Sequence, residues 1–181
     1  MERESFDLAF REFNEAIRLD PQYAVAYNNR GKIYERLQQL DKAMADYTEA
    51  IELNPRYVAA YNNRGDAYQW RGEYEKALAD FDKATEISPY YAIAYSNRGI
   101  VYDRLGSYAK AIENFNKAIS INPNIPEAYN NRGIVYAKTG LFDFAIRDFN
   151  KALELRPNYM EVFKNRQRAM EDKARVGRSK N

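Results

Sequence analysis

The sequence predicts an all-α solenoid of antiparallel helix pairs, and three observations carry that expectation. Proline recurs at Pro21, Pro55, Pro89, Pro123 and Pro157, each 34 residues after the last. The tetrapeptide Asn28-Asn29-Arg30-Gly31 returns at the same spacing as Asn62-Asn63-Arg64-Gly65, Ser96-Asn97-Arg98-Gly99 and Asn130-Asn131-Arg132-Gly133, with a degraded copy at Lys164-Asn165-Arg166-Gln167. Within each period the apolar residues recur at helical spacing. A unit this short buries its apolar face only by stacking on its neighbours.

The elements follow in order. Residues 1–23 form a half-repeat: Phe6, Ala9, Phe13 and Ala16, then Pro21, match only the second helix of a pair. Complete repeats occupy 24–57, 58–91, 92–125 and 126–159. In the second of these, Tyr61, Gly65 and Tyr68 fall at i, i+4 and i+7 of the first helix, and Tyr74, Ala77, Phe81 and Ala84 line one face of the second. Gly72 stands between the two, where a left-handed cap is needed; Gly106 and Gly140 match it, and Gln38 does not. The prolines end each second helix. Residues 160–174 match only a first helix, with Phe163 and Met170 at repeat positions and Gln167 in place of glycine, as expected of a capping helix with nothing packed behind it. Residues 175–181 read as a flexible basic tail. The expectation is about ten helices, one, then four pairs, then one, in a single solenoid domain.

Composition narrows the function classes. Twenty-eight basic and 26 acidic residues leave a net charge of +2, which is no electrostatic footprint for nucleic acid. With neither cysteine nor histidine, the usual zinc sites, a thiol nucleophile and an imidazole base are all excluded. No phosphate-cradling or nucleophile-elbow glycine motif is present. No metal, cofactor or catalytic residue is expected. No apolar run is long enough for a membrane span, and the first residues lack a signal-peptide core, so a cytoplasmic location is the default expectation.

The repeat resembles the tetratricopeptide repeat over nearly the whole chain. Tyr27, Gly31, Tyr34, Ala43, Tyr47, Ala50 and Pro55 fall at the family's signature positions, and the other three repeats carry the same set with Phe81, Phe115 and Phe149 in place of Tyr47. Tyrosine stands where the family often has Trp, and arginine where it usually has the Leu before the glycine. The resemblance implies a right-handed superhelix whose first helices line a concave groove that binds another protein. It also implies exposed groove positions at the second, fifth, sixth, ninth, twelfth and thirteenth places of each repeat.

Those places define the candidate peptide-binding residues. The sixth place is Asn29, Asn63, Asn97, Asn131 and Asn165, a ladder of amides able to pair with the backbone of an extended peptide. It is similar to the ladder in the repeats of O-GlcNAc transferase. Its alternative role is local stiffening of the solenoid. Asn28, Asn62 and Asn130 hold the fifth place. Lys32, Arg36, Asp66, Arg104 and Lys138 supply mixed charge, and Ile93, Ile100 and Ile134 an apolar strip. The single tryptophan, Trp70, is either a groove anchor or a lid over the turn at Gly72. In the four complete repeats no basic residue holds the second or fifth place, so the clamp that chaperone adaptors use on a terminal carboxylate is not carried over.

Two further patterns matter. The seventh-place arginines Arg30, Arg64, Arg98, Arg132 and Arg166 recur alongside an acid on the second helix, Glu12, Asp46, Asp80 and Asp148, with Asn114 in the remaining place; intramolecular pairs are expected, with phosphate binding as the alternative. The half-repeat ends offer Phe6, Phe10 and Phe13 at one terminus and Phe163 and Met170 at the other as candidates for head-to-tail self-assembly. The partner is therefore expected to be another protein, most simply an extended segment, with a homo-oligomer through the ends as the alternative.

Overall fold

The computed structural model describes residues 2–178, with side chains from Asp7 onwards. Among the described residues there are ten α-helices and no strand: α1 (Glu2–Leu19), α2 (Ala24–Arg36), α3 (Leu40–Leu53), α4 (Val58–Trp70), α5 (Tyr74–Ile87), α6 (Ala92–Arg104), α7 (Tyr108–Ile121), α8 (Pro126–Lys138), α9 (Phe142–Leu155) and α10 (Met160–Arg178). The helices group into two compact units, Met1–Pro89 with α1 to α5 and Tyr90–Asn181 with α6 to α10. In the first, α2 pairs with α3 and α4 with α5; in the second, α6 pairs with α7, α8 with α9, and α10 packs on α9. None of these helices is long and apolar enough to cross a membrane.

Close pairing rests on small residues. Ala43, Ala50, Ala77 and Ala84 in the first unit, and Ala111, Ala118, Ala145 and Ala152 in the second, are completely buried. The eighth place is glycine because the ring of the paired helix lies directly over it. A Cβ added at Gly31 would come within 2.6 Å of the Tyr47 ring, and one at Gly65 within 2.8 Å of the Phe81 ring. Tyr47, Phe81, Phe115 and Phe149 are the largest fully buried side chains, one per repeat. Removing any of these rings would cost about 3–5 kcal/mol.

Each turn inside a pair is a left-handed cap. Gly72, Gly106 and Gly140 have φ of 78°, 70° and 77°, and Gln38 takes the same conformation at 59°. Gly72 N–H bonds the Gln69 carbonyl and Glu73 N–H that of Tyr68, and Gln38 and Gln39 reproduce both bonds to Glu35 and Tyr34. These are the two bonds of a Schellman motif.

The ends differ somewhat from expectation. α10 runs to Arg178, past the expected end at residue 174. No proline or capping glycine interrupts it, an ion pair from Arg175 to Asp172 spans one turn, and basic residues in the last turn suit the negative end of the helix dipole. Phe6 lies outside the residues whose side chains are described. Phe10 packs edge-on against Tyr34 at 5.3 Å between ring centres, and Phe13 is half-buried.

Candidate functional site

The seventh-place arginines build the frame that holds the first helices. Arg30 donates Nε and Nη2 to the two carboxylate oxygens of Asp46 at 2.8 and 2.7 Å, and Nη1 to Asn14 at 2.7 Å. Arg64 treats Asp80 and Thr48 likewise, and Arg132 treats Asp148 and Asn116. Each guanidinium thus ties its own second helix to the second helix before it. It also lies over two tyrosine rings of its own helix: 5.8 and 5.9 Å from Tyr61 and Tyr68 for Arg64, 5.7 and 5.8 Å from Tyr129 and Tyr136 for Arg132. The bidentate carboxylate raises the pKa of Arg30 and Arg64. Arginine, the two tyrosines of its helix and the acid on the second helix thus form one contact group in each of these repeats. In the third repeat Arg98 Nε donates to Asn114 Oδ1 at 2.7 Å instead.

The asparagines divide into two layers. Asn28, Asn62 and Asn130, expected at exposed places, are buried. The sixth-place residues Asn29, Asn63, Asn97, Asn131 and Asn165 are half-buried. Asn63 Nδ2 donates to Asn28 Oδ1 at 2.9 Å, and Asn165 Nδ2 to Asn130 Oδ1 at 3.0 Å, each across one repeat. The inner layer thereby orients the outer one. Asn63 and Asn165 each keep the carbonyl oxygen and one N–H uncommitted among the described residues. The register of these bonds, residues 35 apart, is the signal in the sequence that finds them.

In the first unit the remaining groove residues are three charged side chains and one tryptophan. Lys32 and Arg36 on α2 are exposed, and Trp70 on α4 is 67% exposed, which is not the burial a lid over Gly72 would have. Asp66 is half-buried and makes no hydrogen bond or ion pair among the described residues. Its carboxyl is pushed up to about 6, first by burial and second by the charge of Glu35. Glu35 accepts a 2.7 Å hydrogen bond from the Tyr47 hydroxyl, and burial, followed by that bond, raises the tyrosine far above its ordinary value. Next to Asp66, Gln69 is buried and its Oε1 has no donor.

In the second unit Ile93 and Arg104 are exposed, while Ile100 and Ile134 are half-buried and pack on the cores around Phe115 and Phe149. The apolar strip is thus partly core. Lys138 donates to both oxygens of Asp103 at 2.7 Å. A groove of about 380 Å³ lies between α8 and α10, lined among others by Ile134, Lys138, Asn165 and Arg168. At the end of this unit Phe163 and Met170 are about half exposed on α10.

Comparison with known proteins agrees with this geometry. Tetratricopeptide-repeat family models match residues 57–124, residues 24–57 and 126–159, and residues 1–38. Among curated proteins, nothing matches this chain. Among solved structures, that of MamA is 31% identical, with 88% of this chain and 94% of that one covered at a TM-score of 0.73. YrrB, described as a TPR protein with an unusual peptide-binding site, is 26% identical, with 90% and 84% covered and a TM-score of 0.70. The first TPR of Spaghetti (RPAP3), solved with the HSP90 peptide SRMEEVD, is 26% identical, with 65% and 93% covered and a TM-score of 0.63. Strict 34-residue repeats, glycine-on-ring helix pairs and these likenesses together make the chain a member of the tetratricopeptide-repeat family, an all-α solenoid of the protein-interaction scaffold type.

Proposed function

We propose that the chain is a binding module, not an enzyme, that holds an extended segment of a partner protein against its first helices through the sixth-place asparagines. The observation that carries this is the pairing of Asn63 on Asn28 and of Asn165 on Asn130. An amide fixed by one hydrogen bond, with its carbonyl and second N–H uncommitted, is pre-organised to bond a peptide unit on both edges. The peptide-binding descriptions of YrrB and of the Spaghetti repeat support the same class of ligand. The experiment is a peptide array probed with the wild-type chain and with the Asn63→Ala/Asn165→Ala variant, whose changes fall in different units. Peptides captured by the wild type and lost by the variant are expected. Capture that survives both changes would sink the ladder.

A second reading is head-to-tail assembly, favoured by the exposure of Phe163 and Met170 on α10. Gln167 opposes it. At the corresponding glycines an added Cβ would come within 2.6–2.8 Å of the paired ring, and Gln167 brings such a Cβ to any second helix offered by another copy. A monomer mass independent of concentration would dispose of this reading; growth of chains in Gln167→Gly alone would identify the glutamine as the block.

A further inference from the structure

We infer that the groove of the first unit carries a subsite for an arginine side chain of the bound segment, formed by Asp66 and Glu35 with Trp70 as its platform. This rests on the groove-binding reading and names the chemistry of one of its contacts.

Four observations converge on a cation. First, Asp66 is half-buried, lies near enough to Glu35 to feel its charge, and is in no ion pair among the described residues. A partly buried carboxylate without a counter-charge, beside a second negative charge, is a standing cost to the free protein. Second, the twelfth-place acid of the second unit, the equivalent of Glu35, has its cation in place. Lys138 follows Asp103 by 35 residues and binds its carboxylate at 2.7 Å. The residue 35 after Glu35 is Trp70. Where the second unit supplies its own ammonium, the first offers an indole instead. Third, that indole is 67% exposed and lies one turn from Asp66 on α4, at i+4 and therefore on the same face. An exposed tryptophan beside a carboxylate offers a face for cation–π stacking and an acceptor at its edge. Fourth, Gln69, between them in sequence, is 7% exposed and its Oε1 lacks a donor. The subsite is rich in acceptors and poor in donors.

Arginine fits better than lysine. Its planar guanidinium carries five donors and stacks on aromatic rings, so one group can bridge two carboxylates while lying on the indole. Lysine would satisfy the charge as a point and leave the ring unused. Lys32 and Arg36 are the basic residues nearby on α2, and neither offsets the upward shift at Asp66, which arises from burial and Glu35 alone. The ladder would grip the backbone of the segment without reading sequence; this subsite would add the sequence preference.

The test uses the whole chain and two small probes, N-acetyl-arginine methylamide and the neutral isostere N-acetyl-citrulline methylamide, followed by NMR of isotopically labelled protein. The expected result is a shift of the Trp70 indole and of the amides around Asp66 with the arginine probe. Binding of the citrulline probe should be about tenfold weaker, the loss of one charge-assisted contact. Asp66→Asn should lose the arginine preference by the same factor while remaining folded. Trp70→Lys should lose it too, by supplying internally the cation that Lys138 supplies in the second unit. Equal response to the two probes, no response to either, or an arginine preference that survives Asp66→Asn would overturn the subsite. Failure of the groove-binding reading is read separately, from the peptide array.

Discussion

The two units fill equivalent groove positions differently. At the ninth place the second unit has Ile100 and Ile134, which pack into its cores, and its one twelfth-place acid, Asp103, is neutralised by Lys138. The first unit has Lys32 and Asp66 at the ninth place and Glu35 at the twelfth, and its acids are left unneutralised among the described residues. Both share the frame of arginine staples, ring-covered glycines and Schellman turns. The repeated frame therefore accounts for the fold, and the departures at the ninth, twelfth and thirteenth places are where the units acquire separate character. A sequence under selection for stability alone has no reason to keep Asp66 where it is; natural proteins hold such residues where activity needs them.

Breaking the shared frame should show the largest effect and treat the units alike. Asp80→Ala and Asp148→Ala each strand a guanidinium that is less than one-fifth exposed. Each is expected to cost about 3 kcal/mol, because the partner charge stays behind in a desolvated place. Asp80→Asn should cost distinctly less, since Asn114 already serves as acceptor for Arg98 in the third repeat. Urea unfolding at constant slope measures all three, and a loss confined to one unit would show that the staples are not equivalent.

Neutralising one acid in each groove should separate the units by sign. Asp66 is held up to about 6 from an ordinary 3.8, so the folded protein binds this proton more tightly than the unfolded chain does. Stability is then lowest above pH 6 and recovers as pH falls from about 6 towards 3.8. Asp66→Asn removes the penalty and is expected to gain about 2 kcal/mol at neutral pH, with the gain shrinking through that acid window. Asp103→Asn loses the contact with Lys138, which is less than half exposed, and should cost under about 1 kcal/mol. Urea midpoints of both variants at pH 7.5 and pH 4.5 test this; a loss of stability in Asp66→Asn at neutral pH would remove the premise that the acid is uncompensated.

What the sequence made legible follows from how local the signals are. Helix number, pairing and turns could be read because the 34-residue period repeats without an insertion, and the Arg–Asp staples because both partners recur in one register. The burial of Asn28, Asn62 and Asn130 was hidden, since adjacent asparagines in a helix look alike until the neighbouring helix decides which one it covers. The closeness of Asp66 to Glu35 was hidden for the same reason: it joins different repeats at a spacing of 31 residues, which neither the 34-residue period nor the 35-residue register of the Asn28–Asn63 and Asp103–Lys138 bonds announces. The extension of α10 to Arg178 depends on the absence of a stop signal, which is weaker evidence than the presence of one.

The turns test the same comparison at smaller scale. The first complete pair closes on Gln38 at φ 59°, where the other three pairs use glycine. Gln38→Gly is expected to stabilise by about 1 kcal/mol, because a side chain in that conformation is strained. Gly106→Ala in the second unit should cost about as much; no atom lies within 4 Å of its added Cβ, so backbone strain alone would be measured.

The smallest effect concerns one hydroxyl. In the first complete repeat Tyr47 donates to Glu35. In the second, the residues at the same two places are Phe81 and Gln69, and the Gln69 Oε1 is left without a donor. The two rings sit alike, each against the glycine of its partner helix, so Phe81→Tyr should bring its hydroxyl to Gln69 as Tyr47 brings its own to Glu35. Satisfying one buried acceptor is expected to raise stability by about 1 kcal/mol or less. Phe149→Tyr is the control in the second unit, because the twelfth place of its repeat is Ala137 and offers no side-chain acceptor. A gain in Phe81→Tyr without one in Phe149→Tyr would show that the two grooves differ in what lies beneath them as well as in what they present. Equal changes would mean that Gln69 has found another donor, and would remove it from the arginine subsite while leaving Asp66, Glu35 and Trp70 to be judged on their own.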